Sequence, residues 1–367
     1  MKITRITLWH VPLTSHATYY MAGGKTCDTV TTVVLRVDTD ARISGWGEVC
    51  PIPHYLPAYA GGVAPALTEL APILIGADPV GPEALIDKLN RHLLDHRYAK
   101  SAIDTALWDI TAQAANLPLC ALLGGRQQAD MPLYHSITSV APDEMARIAA
   151  DAQAKGMTQF QVKLGADGDW TTDVERLKKV RETVGDGPLV YGDWNGGSTQ
   201  LEATRVGRAV AHLDIMLEQP CETLSQCAAV QAAAGLPMKL DENAHDTATL
   251  LEGHRLRCMD AVALKLSKFG GLSTMRQARD LCLYLGTRMC IEDTWGGSIT
   301  TAAVLHLAAA TPARAILNTC DLADYVGPDL AHDLPKRDNG RISPPEGIGL
   351  GIMVNEDVLG TPQLILD

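Results

Sequence analysis

Five short apolar runs in this chain each end on a charged side chain, and they recur at the length of one strand–helix unit. They are Phe160–Lys163, Leu189–Asp193, Ile215–Glu218, Met238–Asp241 and Ala261–Lys265, with the terminal charges 23 to 30 residues apart. Runs this short read as buried strands rather than helices. Amphipathic helices are expected around them, over 141–155, 173–183 and 224–234. Strand alternating with helix implies a parallel sheet. Further cores from Leu133, at Met289–Ile291 and at Ala315–Leu317 bring the repeats to about eight, which favours a closed barrel. A doubly wound open sheet would usually carry a glycine-rich phosphate loop after its first strand, and none is visible. A parallel barrel gathers the C-terminal ends of its strands at one face, so these five charges converge there.

The first 126 residues follow another pattern. Ile3–Val11 and Val30–Val37 alternate like strands, and Gly45-Trp46-Gly47-Glu48 closes a third. Helical periodicity follows over 64–75, 82–94 and 99–115, ending in Gly124-Gly125-Arg126. The reading is a capping α+β domain over 1–126, a barrel over 127–341, and an irregular segment over 342–367 that packs back on the cap.

The net charge of −12 argues against nucleic acid and anionic membrane surfaces as partners. An acidic substrate stays open, because a bound metal reverses the local field. No apolar run approaches the roughly 20 residues that span a bilayer. The N-terminus alternates like a strand and lacks the apolar stretch of a signal peptide. The nine cysteines form no C-x-x-C pair and read as buried thiols of a cytoplasmic protein. A homo-oligomer is expected.

Asp193, Glu218 and Asp241 lie at three successive strand ends. A single Asp there is commonly a helix N-cap. Three consecutive repeats of the placement point instead to a divalent cation. Hard oxygen donors suit Mg²⁺, with Mn²⁺ as the alternative, and the lack of His or Cys disfavours zinc. Asn195 and Glu242 are adjacent polar helpers. Lys163 and Lys265 flank this set. A second cation nearby would lower a lysine's pKa and make it a base. A carboxylate substrate held at the metal would have its α-proton acidified, so that one lysine removes a proton and the other returns one to the opposite face. For Lys268 the expected role is charge balance.

Further motifs accompany these residues. They are Lys100-Ser101-Ala102-Ile103-Asp104 with Trp108-Asp109, Leu122-Leu123-Gly124-Gly125, Asp193-x-Asn195, Glu218-Gln219-Pro220, Asp241-Glu242, and Lys265 before Gly270-Gly271. With Gly45-Trp46-Gly47-Glu48, they make nearly the whole chain resemble the enolase superfamily, in its muconate-lactonizing/mandelate-racemase-like branch. The resemblance implies a modified (β/α)7β TIM-type barrel of the α/β class with an α+β cap. It implies Mg²⁺ on Asp193, Glu218 and Asp241, and Lys163 and Lys265 as the acid/base pair. A lysine on the sixth strand points away from mandelate racemases proper, which use a His–Asp pair on later strands. Many relatives carry Lys-x-Lys at the second strand. Here the first position is Gln161, which removes a cation there and leaves Lys163.

Glu218-Gln219-Pro220-Cys221-Glu222-Thr223 and the Trp295-Gly296-Gly297 turn are similar to members acting on proline derivatives, namely proline betaine 2-epimerases and cis-3-hydroxy-L-proline dehydratases. Asp293 and Asp321, near the seventh and eighth strand ends, are the carboxylates expected to meet a substrate ammonium. Betaine-epimerizing relatives place an aromatic at the eighth strand, and Leu317-Asn318-Thr319-Cys320-Asp321 has none. The expected substrate is therefore a small amino-acid-derived carboxylate of the proline type, with hydrogens on its nitrogen. Trp295, Tyr55 and Tyr59 are candidate aromatic contacts. His54, Tyr55 and Tyr59 are expected in one Pro- and Gly-rich loop of the capping domain, and Tyr20, before Gly23-Gly24, in another. Betaine epimerisation, dipeptide epimerisation and a non-catalytic metabolite-binding barrel are the alternatives. Dipeptide epimerases usually show Asp-x-Asp at the eighth strand, which Asp321 with Asp324 does not match.

Overall fold

A computed structural model describes residues 1–367. Its N-terminal sheet is an antiparallel meander of β1 (Ile3–Tyr20), β2 (Thr26–Thr39) and β3 (Ser44–Val49). Alternation places Ile6, Leu8, Val33, Leu35 and Val37 in one buried cluster beneath α1 (Val63–Leu74), α2 (Pro82–His92) and α3 (Arg97–Ala114). The alternating glycines of Gly45-Trp46-Gly47 have a packing cause. A Cβ on Gly45 would lie 2.2 Å from the Ala106 carbonyl oxygen, and one on Gly47 1.9 Å from that of Ala102. Only glycine lets α3 approach the strand this closely.

The second body is an eight-stranded parallel sheet in sequential order. Its strands are His135–Ile137, Gln159–Lys163, Leu189–Asp193, Ile215–Glu218, Met238–Leu240, Ala261–Lys265, Arg288–Glu292 and Ile316–Thr319. A parallel bridge from Leu133 to Thr319 joins the last strand to the chain leading into the first. Seven long helices follow the first seven strands. After the eighth, a short turn over Leu322–Tyr325 leads to Val326–Gly327, which pairs with β1. Leu364–Leu366 also pairs with β1. The fold is an α/β TIM-type barrel with a separate antiparallel capping sheet. Inside the barrel Tyr134 and Tyr191 are packed with the small Ala263, Cys290 and Cys320, so the centre is filled and chemistry is confined to the mouth.

Register sets the mouth. Lys163, Asp193 and Glu218 are successive cross-strand partners, and Lys265 pairs with Glu292. The two bodies are tied by buried carboxylates of α3. Asp104 accepts from the Ser273 amide (2.7 Å) and hydroxyl (2.6 Å) at the start of the sixth barrel helix, Leu272–Leu285. Asp109 accepts from the amides of Trp46 (3.0 Å) and Leu350 (2.9 Å). No helix is long and apolar enough to cross a membrane.

Candidate active site

Lys163 is buried with its ammonium on Asp193 and 3.2 Å from the Asn195 side-chain oxygen. Lys265 is equally buried, 2.7 Å from Asp241 and bonded to the Tyr55 hydroxyl. That hydroxyl also donates to Asp241. Burial lowers the pKa of each ammonium. For Lys163 this is outweighed by Asp193, Tyr19 and Glu218, and for Lys265 by Asp241, Glu292 and Glu242, so both stand above the ordinary lysine range. The lowering expected of Lys163 and Lys265 depends on a second cation beside these carboxylates. The lysines' nearest neighbours are carboxylates, and attraction keeps them charged. Lys268 donates to the Asp241 carboxylate (2.9 Å) and to the backbone oxygens of Asp241 and Ala263, a fully engaged structural cation.

The carboxylates stand at the strand ends, but no three of them close into a ready ligand cage. Asp193 and Asp241 are turned onto the lysines. Glu218 accepts from Gln161 Nε2 (2.7 Å) on one oxygen. Its other oxygen lies 2.9 Å from Lys239 Nζ yet makes no well-directed hydrogen bond. Burial pushes Glu218 up to about 7; Lys239 opposes this, and Asp193 and Asp241 add to it. Burial and the charges of Asp241 and Asp193 push Glu242 up to about 8, and one Glu242 oxygen has no partner. Six carboxylates (Asp193, Glu218, Asp241, Glu242, Glu292, Asp293) face four lysines (163, 239, 265, 268) around the mouth. The carboxylates outnumber the lysines, and Asp193, Glu218 and Asp241 offer hard oxygen donors that fit a divalent cation.

Lys163 and Lys265 line one narrow cavity of about 50 Å³ with Tyr55, Asp293, Trp295 and Tyr19. Asp293 Oδ1 accepts from the Ser267 amide and hydroxyl and the Thr294 amide, while Oδ2 is buried and unpartnered. Burial pushes this carboxyl up to about 6 against those hydrogen bonds. Asp321 corrects the expectation made for it. It does not line this cavity but a separate groove of about 630 Å³, where Oδ2 is 3.1 Å from Arg337. The turn after the eighth strand carries it outward to a cation that is distant in sequence. Tyr59 also lies outside this cavity; it is exposed and lines another groove. Tyr20 is not in a loop: β1 runs through it, its side chain faces out, and Tyr19 faces the cavity. Alternation along β1 was the signal for this choice.

Sequence reasoning also missed Lys239. It lies in the middle of the fifth strand, fully buried, 4.8 Å from the Tyr191 ring centroid and 5.4 Å from that of Tyr134. Its position two residues before Asp241 gives it the same side of the strand, inside the barrel. Gln161 proves to be a carboxylate-binding residue, donating to both Asp193 (3.1 Å) and Glu218.

Residues 3–124 match the family model for the mandelate racemase/muconate lactonizing enzyme N-terminal domain, and residues 144–358 match the enolase C-terminal domain-like model. The chain belongs to the enolase superfamily. As a member of its mandelate racemase/muconate lactonizing branch, it is an enzyme of the dehydratase or racemase/epimerase type. It is 40% identical over 364 residues to the cis-3-hydroxy-L-proline dehydratase of Roseibium aggregatum, covering 99% of each chain. The N-succinyl-L-Arg/Lys racemase of Bacillus cereus is 28% identical, over 98% of this chain and 97% of that one. A crystal structure of an enolase superfamily member from Roseovarius nubinhibens ISM, complexed with magnesium, superposes with a TM-score of 0.94 at 34% identity, covering 100% of this chain and 99% of that one.

Proposed function

We propose that this enzyme removes the α-proton of a proline-type amino carboxylate and dehydrates cis-3-hydroxy-L-proline, with 2-epimerisation as the competing outcome. The observation that carries the reading is one cavity walled by two buried lysines and by Asp293, whose Oδ2 is buried without a partner. A ring ammonium that still bears hydrogens can donate to Oδ2; a quaternary betaine nitrogen cannot. The similarity to the Roseibium aggregatum enzyme supports the same substrate.

Asp193, Glu218 and Asp241 would hold Mg²⁺, or Mn²⁺ in its place. Bound there, the cation would supply stabilisation of negative charge on the substrate carboxylate. One lysine, as the free amine, accepts the α-proton. The electron pair left on the α-carbon forms the C2–C3 double bond as the 3-hydroxyl departs. The opposite lysine protonates that hydroxyl, so water leaves. The resulting enamine tautomerises to Δ¹-pyrroline-2-carboxylate. Without a 3-hydroxyl, the second lysine returns its proton to carbon and the centre inverts. Trp295 and Tyr55 wall the ring and exclude water.

The reading extends to a division at residues 126 and 341, supported by the separate sheets and by the return of Leu364–Leu366 to β1. It also includes a cytoplasmic homo-oligomer. Nine buried free thiols support the compartment. The test is product identity across hydroxyproline stereoisomers and proline betaines, with α-proton exchange in D₂O. Δ¹-pyrroline-2-carboxylate from cis-3-hydroxy-L-proline is expected. Fast turnover of N,N-dimethylated prolines with inert free hydroxyprolines would replace the proposal with a betaine epimerase.

A further inference from the structure

Glu48, at the end of the Gly45-Trp46-Gly47-Glu48 motif, is a completely buried carboxylate of the capping domain. It reaches across to the barrel. Oε1 accepts from the Gly297 amide (2.6 Å) and the Thr32 hydroxyl (2.8 Å), and Oε2 from the Thr300 amide (2.9 Å). Gly297 is the N-cap of the seventh barrel helix, Ser298–Ala309, and has no side chain to cap it. Every residue of that helix is buried, so water cannot serve its first amides. Glu48 therefore supplies the cap from another domain.

The capped turn is the one that shapes the cavity. Trp295-Gly296-Gly297 begins two residues after Asp293. A Cβ on Gly296 would lie 2.9 Å from Thr300, and one on Gly297 2.6 Å from Leu330, so the turn has one tight path. Along it, the Trp295 ring packs 5.6 Å from Tyr19 and 6.0 Å from Tyr325, both cavity residues.

We infer that Glu48 is a positioning residue through which the capping domain sets the Asp293–Trp295 wall of the substrate cavity. The inference rests on the proposed function only for the identity of the substrate. The experiment compares Glu48→Gln, Glu48→Ala and Thr199→Ala in the full-length protein. The last removes the exposed N-cap of the third barrel helix, which makes no part of the wall. Glu48→Ala should raise KM for cis-3-hydroxy-L-proline at least about 10-fold, the loss expected for charge-assisted hydrogen bonds, with kcat changed much less. Glu48→Gln keeps one acceptor and should fall between. Thr199→Ala should lose stability with its KM unchanged. Amide exchange over residues 294–301 should accelerate in the Glu48 variants alone. If the parent turns over no proline derivative, the functional reading fails, and the exchange pattern still decides the cap. Parental KM in folded Glu48→Gln and Glu48→Ala, or unchanged exchange over 294–301, overturns the inference.

Discussion

At the scale of single residues, the two lysines differ from ordinary buried cations because their partners are also the proposed metal ligands. A lysine that only balanced charge would cost stability when removed and leave chemistry intact. Lys163→Ala and Lys265→Ala should instead each lower turnover by at least the roughly 10²–10⁴-fold typical of general acid–base catalysis. One variant should still exchange the α-proton of one enantiomer in D₂O. Parental racemisation or dehydration rates in both would end the assignment. His306 offers a prediction away from the site. Its Nδ1 accepts from the Cys120 amide (3.3 Å) and its Nε2 faces the Leu350 carbonyl (3.0 Å), which defines a neutral ring. Burial lowers its pKa to about 4. Between about 4 and the usual 6.5 the unfolded chain binds a proton that the folded chain refuses. Stability from this group is therefore full above 6.5 and falls as pH drops toward 4, by up to about 1.4 kcal/mol per unit. Urea midpoints of the parent should fall faster from pH 7 to pH 5 than those of His306→Gln. Parallel slopes would refute this.

At the scale of elements, helix starts do more than terminate helices. Thr223 with Gln226, and Asp246 with Thr249, form capping boxes local in sequence. The sixth and seventh barrel helices instead begin on glycine and take carboxylates from the cap, Asp104 and Glu48. Gly271 shows why glycine is needed. It has φ +119°, and a Cβ there would lie 2.4 Å from Asp104 Oδ2. Gly271→Ala combines backbone strain with a displaced cap and should destabilise by about 2 kcal/mol or more. Denaturant unfolding checks this; a near-parental midpoint would show that Asp104 yields without cost. The Gly45 and Gly47 approaches to α3 follow the same logic, with the helix backbone in place of the carboxylate.

At the scale of the whole molecule, carboxylates outnumber lysines around the site, and a ligand that binds only the folded state stabilises it by mass action. The melting temperature should rise with MgCl₂ and not with NaCl at equal ionic strength. Asp241→Asn should lose this response and turnover together while remaining folded. Full activity in excess chelator, or a melting temperature indifferent to Mg²⁺, would contradict the metal assignment. The cavity is narrow because Tyr55 bridges Lys265 and Asp241 from the capping domain. The cap therefore contributes a side chain to the site and is more than a cover.

Local pattern by itself determined much of this protein. The strand–helix alternation, and the charges Lys163, Asp193, Glu218, Asp241 and Lys265 at the strand ends, were legible because side-chain period and element length are short-range properties. The helix over 224–234 was read at its observed limits. Tertiary structure alone decided who meets whom. Asp321 and Asp293 look alike in sequence, yet Arg337, sixteen positions beyond Asp321, draws one outward while Ser267 holds the other at the cavity. Glu48 lies 249 residues before the amide it caps, and no local pattern can report that contact. Both lysines are held above the ordinary range for the same reason. A charge responds to whatever lies within a few ångströms, and at a barrel mouth those neighbours come from six different strands and a separate domain.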